Sequence, residues 1–279
     1  MEKNDSSIEE KNLFPYLRAV EEFESKPVRD INDINIAAEI IISNLEKALV
    51  NSLKGLKEKE VYLLLSGGID SSFLYFILKK KNLNIKSCCF GTDKSKDLNF
   101  VKQNFRDDNI EFIVVEKKQL DKFEKEFLKE FDYKKRLDIN LGLPLYIIGN
   151  DLAKKNCRYL IVGSGTEELF FGYHYQQKLL EKEKKSLEEV NKFQVNELKN
   201  LVTKDLLRNN KILEKFNIKP ILPYLDYEFV KNVLKINPYL NSHELKKFVL
   251  RKAALTYGIS EKIALRKKIA FQYGSGITK

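Results

Sequence analysis

The chain has 279 residues, 43% of them hydrophobic, enough to bury one substantial core with a smaller lobe attached. Its net charge of +10 is spread over lysines that alternate with acidic residues through 117–135 and 178–192, the composition of solvated helix faces rather than of a nucleic-acid-binding patch. No run approaches the ~18–20 apolar residues of a membrane helix. The first residues lack the apolar segment of a secretion signal, and three cysteines without a C-x-x-C pair beside two histidines argue against zinc, disulfide or histidine-metal frameworks, so a cytoplasmic protein is expected.

In chain order, Leu13-Phe14-Pro15-Tyr16-Leu17 and Lys26-Pro27-Val28-Arg29 read as an irregular or extended leader. Ile36, Ala37, Ile40, Ile41, Leu45, Ala48, Leu49 and Leu53 recur at three and four, which predicts an amphipathic helix over 33–53. The period then changes. Val61-Tyr62-Leu63-Leu64-Leu65 is a short continuous apolar run, predicting a strand buried on both faces and ended by Ser66-Gly67-Gly68. Phe73, Leu74, Ile77 and Leu78 return to helical spacing. Further strands are predicted over 85–90, stopped by Gly91, over 110–115, and over 159–162, ending at Gly163, with helices over 97–105, 120–131 and 145–154 between them. Beyond Tyr173 the strands are expected to stop, leaving charged helical sequence to about Asn210 and helices over 228–235 and 243–257.

Strands alternating with helices at this pitch predict an α/β fold with a parallel sheet covered on both faces. Ligands in such sheets sit at the carboxyl ends of strands, where both glycine-rich turns fall, and the two turns are expected to face one site. The expected organisation is a leader and amphipathic helix over 1–58, a nucleotide-binding core over 59–175, and a helical lobe with a C-terminal tail over 176–279 packing on that core.

The chemistry centres on Ser66-Gly67-Gly68-Ile69-Asp70-Ser71-Ser72. Paired glycines let backbone approach a phosphate without Cβ clashes, and the helix that follows directs its free N–H groups there. Ser66, Ser71 and Ser72 add hydroxyls. Asp70 would repel phosphates unless a cation, most naturally Mg2+, lies between them. The Gly-Lys-Ser/Thr of a Walker loop, whose lysine reaches the β- and γ-phosphates, is absent. Cleavage of ATP between its α- and β-phosphates, releasing pyrophosphate, is therefore expected.

SGGIDSS resembles the pyrophosphatase loop (PP-loop) of adenylating ATP enzymes, a group spanning asparagine, GMP, NAD and argininosuccinate synthetases and several tRNA-modifying enzymes. Gly163-Ser164-Gly165-Thr166-Glu167-Glu168-Leu169-Phe170-Phe171-Gly172-Tyr173 is similar to the Gly-Glu-Gly-Ser-Asp-Glu-x-Phe-Gly-Gly-Tyr segment of asparagine synthetases. Gly91 with Lys96-Asp97-Leu98, Pro223-Tyr224-Leu225-Asp226, and Arg266-Lys267-Lys268 with Gln272-Tyr273-Gly274-Ser275-Gly276 resemble further segments of that family in the same order. The resemblance runs from about Val28 to the end. It implies an adenine nucleotide alpha-hydrolase-like (PP-loop) fold and an AMP-forming carbon–nitrogen ligase that adenylates a carboxylate, with aspartate the first candidate, and joins it to ammonia or an amine.

Carried over residue by residue, the resemblance makes Asp70 and Glu167 magnesium ligands. It gives Leu64, Phe90 and Gly163 to the adenine pocket, and Lys268 to charge at the reacting centre and on departing pyrophosphate. Ser164 replaces the family's first glutamate, Glu167 its aspartate, and Lys219-Pro220-Ile221 its Glu-x-Arg, which leaves the substrate open. Glu2 stands where a glutaminase cysteine would, and too few residues precede Ser66 for an amidohydrolase domain, so ammonia is expected free or from a separate glutaminase subunit. A tRNA-modifying pyrophosphatase and a non-catalytic ATP-binding regulatory paralogue stay open as alternatives.

Overall fold

A computed structural model describes residues 13–106, 109–181, 185–267 and 269–277. By contacts the chain forms two compact units, each assembled from separated stretches. One comprises Gly55–Val162, Leu207–Ile221 and the chain from Arg266; the other comprises the chain up to Lys54, Gly163–Leu206 and Leu222–Leu265.

The first unit holds a parallel five-stranded sheet made of β1 (Val61–Leu64), β2 (Lys86–Thr92), β3 (Ile110–Val115), β4 (Tyr159–Ile161) and β5 (Lys219–Ile221), in the order β3-β2-β1-β4-β5. Every β1 residue is buried, as its unbroken apolar run requires. Leu63 pairs with Ser87 on one side and with Ile161 on the other. The chain steps from β1 outward through β2 to β3, then returns to place β4 on the opposite side of β1. The topological switch therefore lies between β1 and β4, and an open α/β sheet binds ligands outside the carboxyl ends of the strands at such a switch. A core of Tyr62, Leu64, Cys88, Phe90, Ile113, Phe127, Ile148 and Leu160 packs one face. Helices Lys117–Glu130 and Arg136–Ala153 pack together there, and helix Leu207–Glu214 packs against the second of them.

Three sequence expectations are corrected in this unit. Strands do not stop at Tyr173, because β5 pairs with β4 in parallel register, Tyr159 opposite Lys219 and Leu160 opposite Pro220. Pro220 is tolerated since β5 is an edge strand, where a missing N–H leaves no ladder bond unmade. Gly91 does not stop β2, which continues through Thr92, Gly91 pairing with Val114. The helix expected over 145–154 begins at Arg136 and contains Pro144.

The second unit is helical. Its long helix Ile34–Leu53 is capped by Asp33, whose carboxylate accepts from the N–H groups of Asn35 and Ile36. The leader is not irregular: Tyr16–Ser25 is a helix burying Tyr16, Leu17, Ala19, Val20 and Phe23. It packs on helices Leu187–Leu201 and Tyr227–Val233, and Tyr16 donates its hydroxyl to the Leu198 carbonyl at 2.9 Å. The helix expected over 243–257 is shorter, Phe248–Thr256, because Lys247 before it is left-handed (φ 59°, ψ 41°) and cannot extend it. Among the described residues no helix is long and apolar enough to cross a membrane.

Candidate active site

β1 delivers the chain directly into the glycine-rich loop, and the loop knits itself together. The Ser66 N–H donates to Ser71 Oγ at 3.1 Å, the Ser66 and Ser71 hydroxyls lie 3.1 Å apart, and the Gly68 N–H donates to Ser66 Oγ at 3.3 Å. Gly67 adopts φ +71°, a region open to glycine at little cost. The 12-residue helix Ile69–Lys80 starts from Gly68, which has no side chain to cap it. Its first-turn N–H groups consequently have no intrahelical partner, and the positive end of its dipole faces the loop. Asp70 sits half-buried in that first turn. Ser72 is withdrawn from the loop: it is fully buried, and among the described residues its Oγ has no hydrogen-bond partner.

Leu64 and Phe90, expected to line an adenine pocket, have their side chains in the sheet core, Phe90 with its ring centroid 6.3 Å from that of Phe271. Lys268 lies outside the described residues.

The C-terminal stretch of the sheet unit is bound to the loop layer at two points. Before Lys268, Arg266 donates from Nη1 to the Ser66 carbonyl at 3.0 Å and from Nη2 to Asp97 Oδ1 at 2.7 Å, with its guanidinium carbon 4.0 Å from the Phe100 ring centre. After Lys268, the Thr92 N–H donates to the Ser275 carbonyl at 2.8 Å and Ser95 Oγ to the Gly274 carbonyl at 2.9 Å. A Cβ on Gly274 would overlap the Asp97 carboxylate, and one on Gly91 would overlap Ser95, so both glycines are required by close approach. Burial raises the Asp97 carboxyl above its ordinary value, and Arg266 pulls in the opposite direction.

In the helical unit the second motif forms an acidic cluster. Glu167 is ion-paired through Oε1 to Lys247 Nζ at 2.6 Å, and the same ammonium donates to Thr166 Oγ1 at 2.9 Å. Lys247 is 2% exposed, in the strained left-handed conformation noted above. Gly172 closes the cluster, since a Cβ there would overlap Glu167 Oε2. Beside it, burial pushes the Glu168 carboxyl up to about 7, a backbone hydrogen bond pulling it down, Glu167 and Asp205 raising it and Lys247 opposing. The Tyr173 hydroxyl is also raised, chiefly by burial and then by Glu168 and Glu167. The backbone of the motif is held by amides: Gln194 Nε2 donates to the carbonyls of Glu168 and Leu169 at 3.1 and 2.9 Å, and Gln177 Nε2 to that of Phe171 at 2.6 Å. Gln194 Oε1 in turn accepts from Arg29 Nη2 at 2.5 Å.

Asp70, Ser66, Gly67, Gly68 and Ser71 are thus assembled on the sheet unit, with Ser72 beneath them, while Gly163 and Glu167 belong to the helical unit. Sequence reasoning missed Lys247, Gln194 and Arg29, and gave Asp97 and Arg266 no role of their own. Their partners lie far away in sequence, Arg266 200 residues from Ser66 and Lys247 81 from Thr166, so no local pattern marks them.

The asparagine synthase family model matches residues 44–188 and 176–278. A Methanocaldococcus jannaschii protein provisionally named a glutamine-hydrolysing asparagine synthetase is 25% identical over 273 residues, covering 83% of this chain and 49% of that one. The glutamine-hydrolysing asparagine synthetase B of Escherichia coli is 24% identical over 258 residues, covering 84% and 45%. The chain thus spans about half the length of these curated relatives. Among solved structures, the NH3-dependent NAD synthetase of Campylobacter jejuni aligns at TM-score 0.35 with 21% identity, covering 66% of this chain and 91% of that one. With a parallel five-stranded α/β sheet and a family match from residue 44 almost to its end, the chain belongs to the asparagine synthase family.

Proposed function

We propose that this chain is an ATP-dependent, AMP-forming amide ligase. It binds ATP at the 66–72 loop and brings a carboxylate, aspartate first among candidates, to the α-phosphorus. The carboxylate oxygen forms a bond to that phosphorus as the bond to the β-phosphate oxygen breaks, giving an acyl-adenylate and pyrophosphate. Ammonia or an amine then attacks the acyl carbon and AMP departs, the amine's surplus proton passing to solvent or a base. One observation carries this reading: the Ser66–Ser72 loop leaves β1 at the sheet's topological switch and runs into an uncapped helix N-terminus, with no Walker lysine.

Asp70 fits a magnesium ion carried by the nucleotide, since Mg2+ needs only one or two protein carboxylates besides phosphate oxygens and water. When bound, the ion would neutralise the phosphates around the breaking bond. Glu167 is paired through Oε1 with Lys247 at 2.6 Å, so a metal there would be met by its other oxygen. Lys268 is proposed to stabilise the departing pyrophosphate. Ammonia would come free or from a separate glutaminase subunit.

The test is pyrophosphate release from MgATP with ammonium and a panel of carboxylates, comparing wild type with Asp70→Ala and Lys268→Ala. Release that requires one carboxylate is expected, with a loss of roughly 10²–10³ in rate for Lys268→Ala. ADP and phosphate as products would overturn the reading. ATP binding without pyrophosphate for any carboxylate would move a regulatory role ahead.

A further inference from the structure

The Arg266 guanidinium is committed on three sides. One nitrogen takes the Ser66 carbonyl, another takes Asp97, and its flat face lies over Phe100. Gly67 lies against the same group, for a Cβ there would stand 2.8 Å from Arg266 Nη1 and 2.8 Å from Phe100 Cδ1. The side chain is mostly buried, 10% exposed, and Asp97 opposite is 5% exposed. An arginine so placed has one donor spent on the loop's own backbone and another on the carboxylate that orients it.

The consequence for the loop follows from peptide geometry. In a planar trans peptide the C=O and the following N–H point in opposite directions. Fixing the Ser66 carbonyl on Arg266 therefore fixes the Gly67 N–H pointing away from it. The Ser66–Gly67 peptide can rotate on its Gly67 side, because Gly67 has no side chain and sits at φ +71°. Its neighbours are held by the serine hydroxyls, which leaves this peptide's orientation to the guanidinium.

We propose that Arg266, oriented by Asp97, is a positioning residue that presets the Ser66–Gly67 peptide of the phosphate loop. This deepens the reading of that loop as a phosphate site and rests on it. Arg266 acts through the backbone and does not itself touch the nucleotide. A lysine cannot replace it, since a single ammonium lacks the planar fork that spans Ser66 and Asp97 together.

The test uses the full chain with Arg266→Lys, Asp97→Asn and the double variant. Two readouts are taken: calorimetric affinity for MgATP and magnesium pyrophosphate, and amide hydrogen exchange at Ser66–Gly68 without ligand. Each single variant is expected to weaken both ligands about tenfold and to speed loop exchange by a similar factor. The double variant should be no worse than either single one, because both remove the same unit. If Arg266 met the phosphates directly, Asp97→Asn would leave affinity unchanged or raise it, and that result would overturn the proposal. Wild-type exchange rates in both single variants would overturn it too. The exchange measurement needs no nucleotide, so it decides the role of Arg266 even if wild type binds no ATP, an outcome that would instead sink the proposed function. Far-ultraviolet circular dichroism melts identify any variant that has merely lost its fold. In that event Arg266→Gln, whose shorter neutral side chain lacks the guanidinium fork, supplies the same comparison.

Discussion

A carboxyl group sealed from water keeps its proton well above the usual range unless a counter-charge reaches it, and Glu168 sets the pH response of the acidic motif. The charged groups that act on it are Glu167, Asp205 and Lys247, with the Tyr173 and Tyr175 hydroxyls also near, and the two carboxylates reinforce what burial begins. In the folded chain Glu168 holds its proton up to about 7, against an ordinary value of 4.5. Between those values the native state binds a proton that the unfolded chain has released, so Glu168 removes stability as pH rises through the window. The loss totals on the order of 3 kcal/mol and levels off above it. Glu168→Gln keeps the shape and cannot ionise. Its unfolding free energy in urea is expected to match wild type near pH 4.5 and to exceed it by a few kcal/mol, roughly 2–3, at pH 8. An equal difference between the two proteins at both pH values would contradict this assignment. Glu167 stands in contrast, because its charge is matched by Lys247 at 2.6 Å. Adjacent acids of one motif are thus put to different uses by one buried lysine.

The phosphate loop and its helix separate two serines that the sequence treats alike. Ser71 Oγ binds the Ser66 N–H and lies against the Ser66 hydroxyl, whereas Ser72 Oγ is buried with no partner among the described residues. Removing a buried unsatisfied hydroxyl relieves its desolvation penalty, while removing a satisfied one leaves its partners exposed to the loss. Ser72→Ala is therefore expected to raise thermal stability or leave it unchanged and to retain MgATP affinity. Ser71→Ala should weaken the affinity about tenfold. Equal losses of affinity in both variants would show that Ser72 faces ligand after all. The same element shows how far sequence reading reaches. The loop, its strand and its helix are legible because Val61–Leu64 is continuously apolar and the turn chemistry is local. The edge strand β5 is not legible, since Lys219-Pro220-Ile221 is three residues long and contains the residue that ordinarily excludes strand. The helix Tyr16–Ser25 escapes for a related reason: Leu17, Val20 and Phe23 mark only one short face, and Pro15 and Pro27 flank it with loop signals. The supports of the site, Arg266 on Ser66 and Lys247 on Glu167, are made by tertiary contact, and periodicity carries no trace of them.

At the scale of the whole chain, the open question is the nitrogen donor. The curated relatives named above are described as glutamine-hydrolysing, and this chain spans about half their length. Glutamine hydrolysis through cysteine needs an accessible thiol with a lowered pKa, since the thiolate is the nucleophile. The chain has three cysteines, and all are buried. Burial pushes Cys89 up to about 12 and Cys157 up to about 11, and raises Cys88 well above its ordinary value. Cys88 and Cys89 lie on β2 inside the sheet, where they pack as small apolar side chains. None can serve as an amidohydrolase nucleophile without opening the core. On the proposed ligase reading, the 279-residue chain supplied with MgATP and its carboxylate is expected to form amide from ammonium, and the buried cysteines predict none from glutamine. Native protein should likewise resist alkylation by iodoacetamide at pH 8 until denaturant is added. Paired assays of amide product and thiol labelling check both expectations. Glutamine-dependent product that disappears as one cysteine is alkylated would reverse the conclusion and place hydrolysis within this chain. Ammonium-dependent product with unreacted thiols would leave any use of glutamine to a different polypeptide or a different segment.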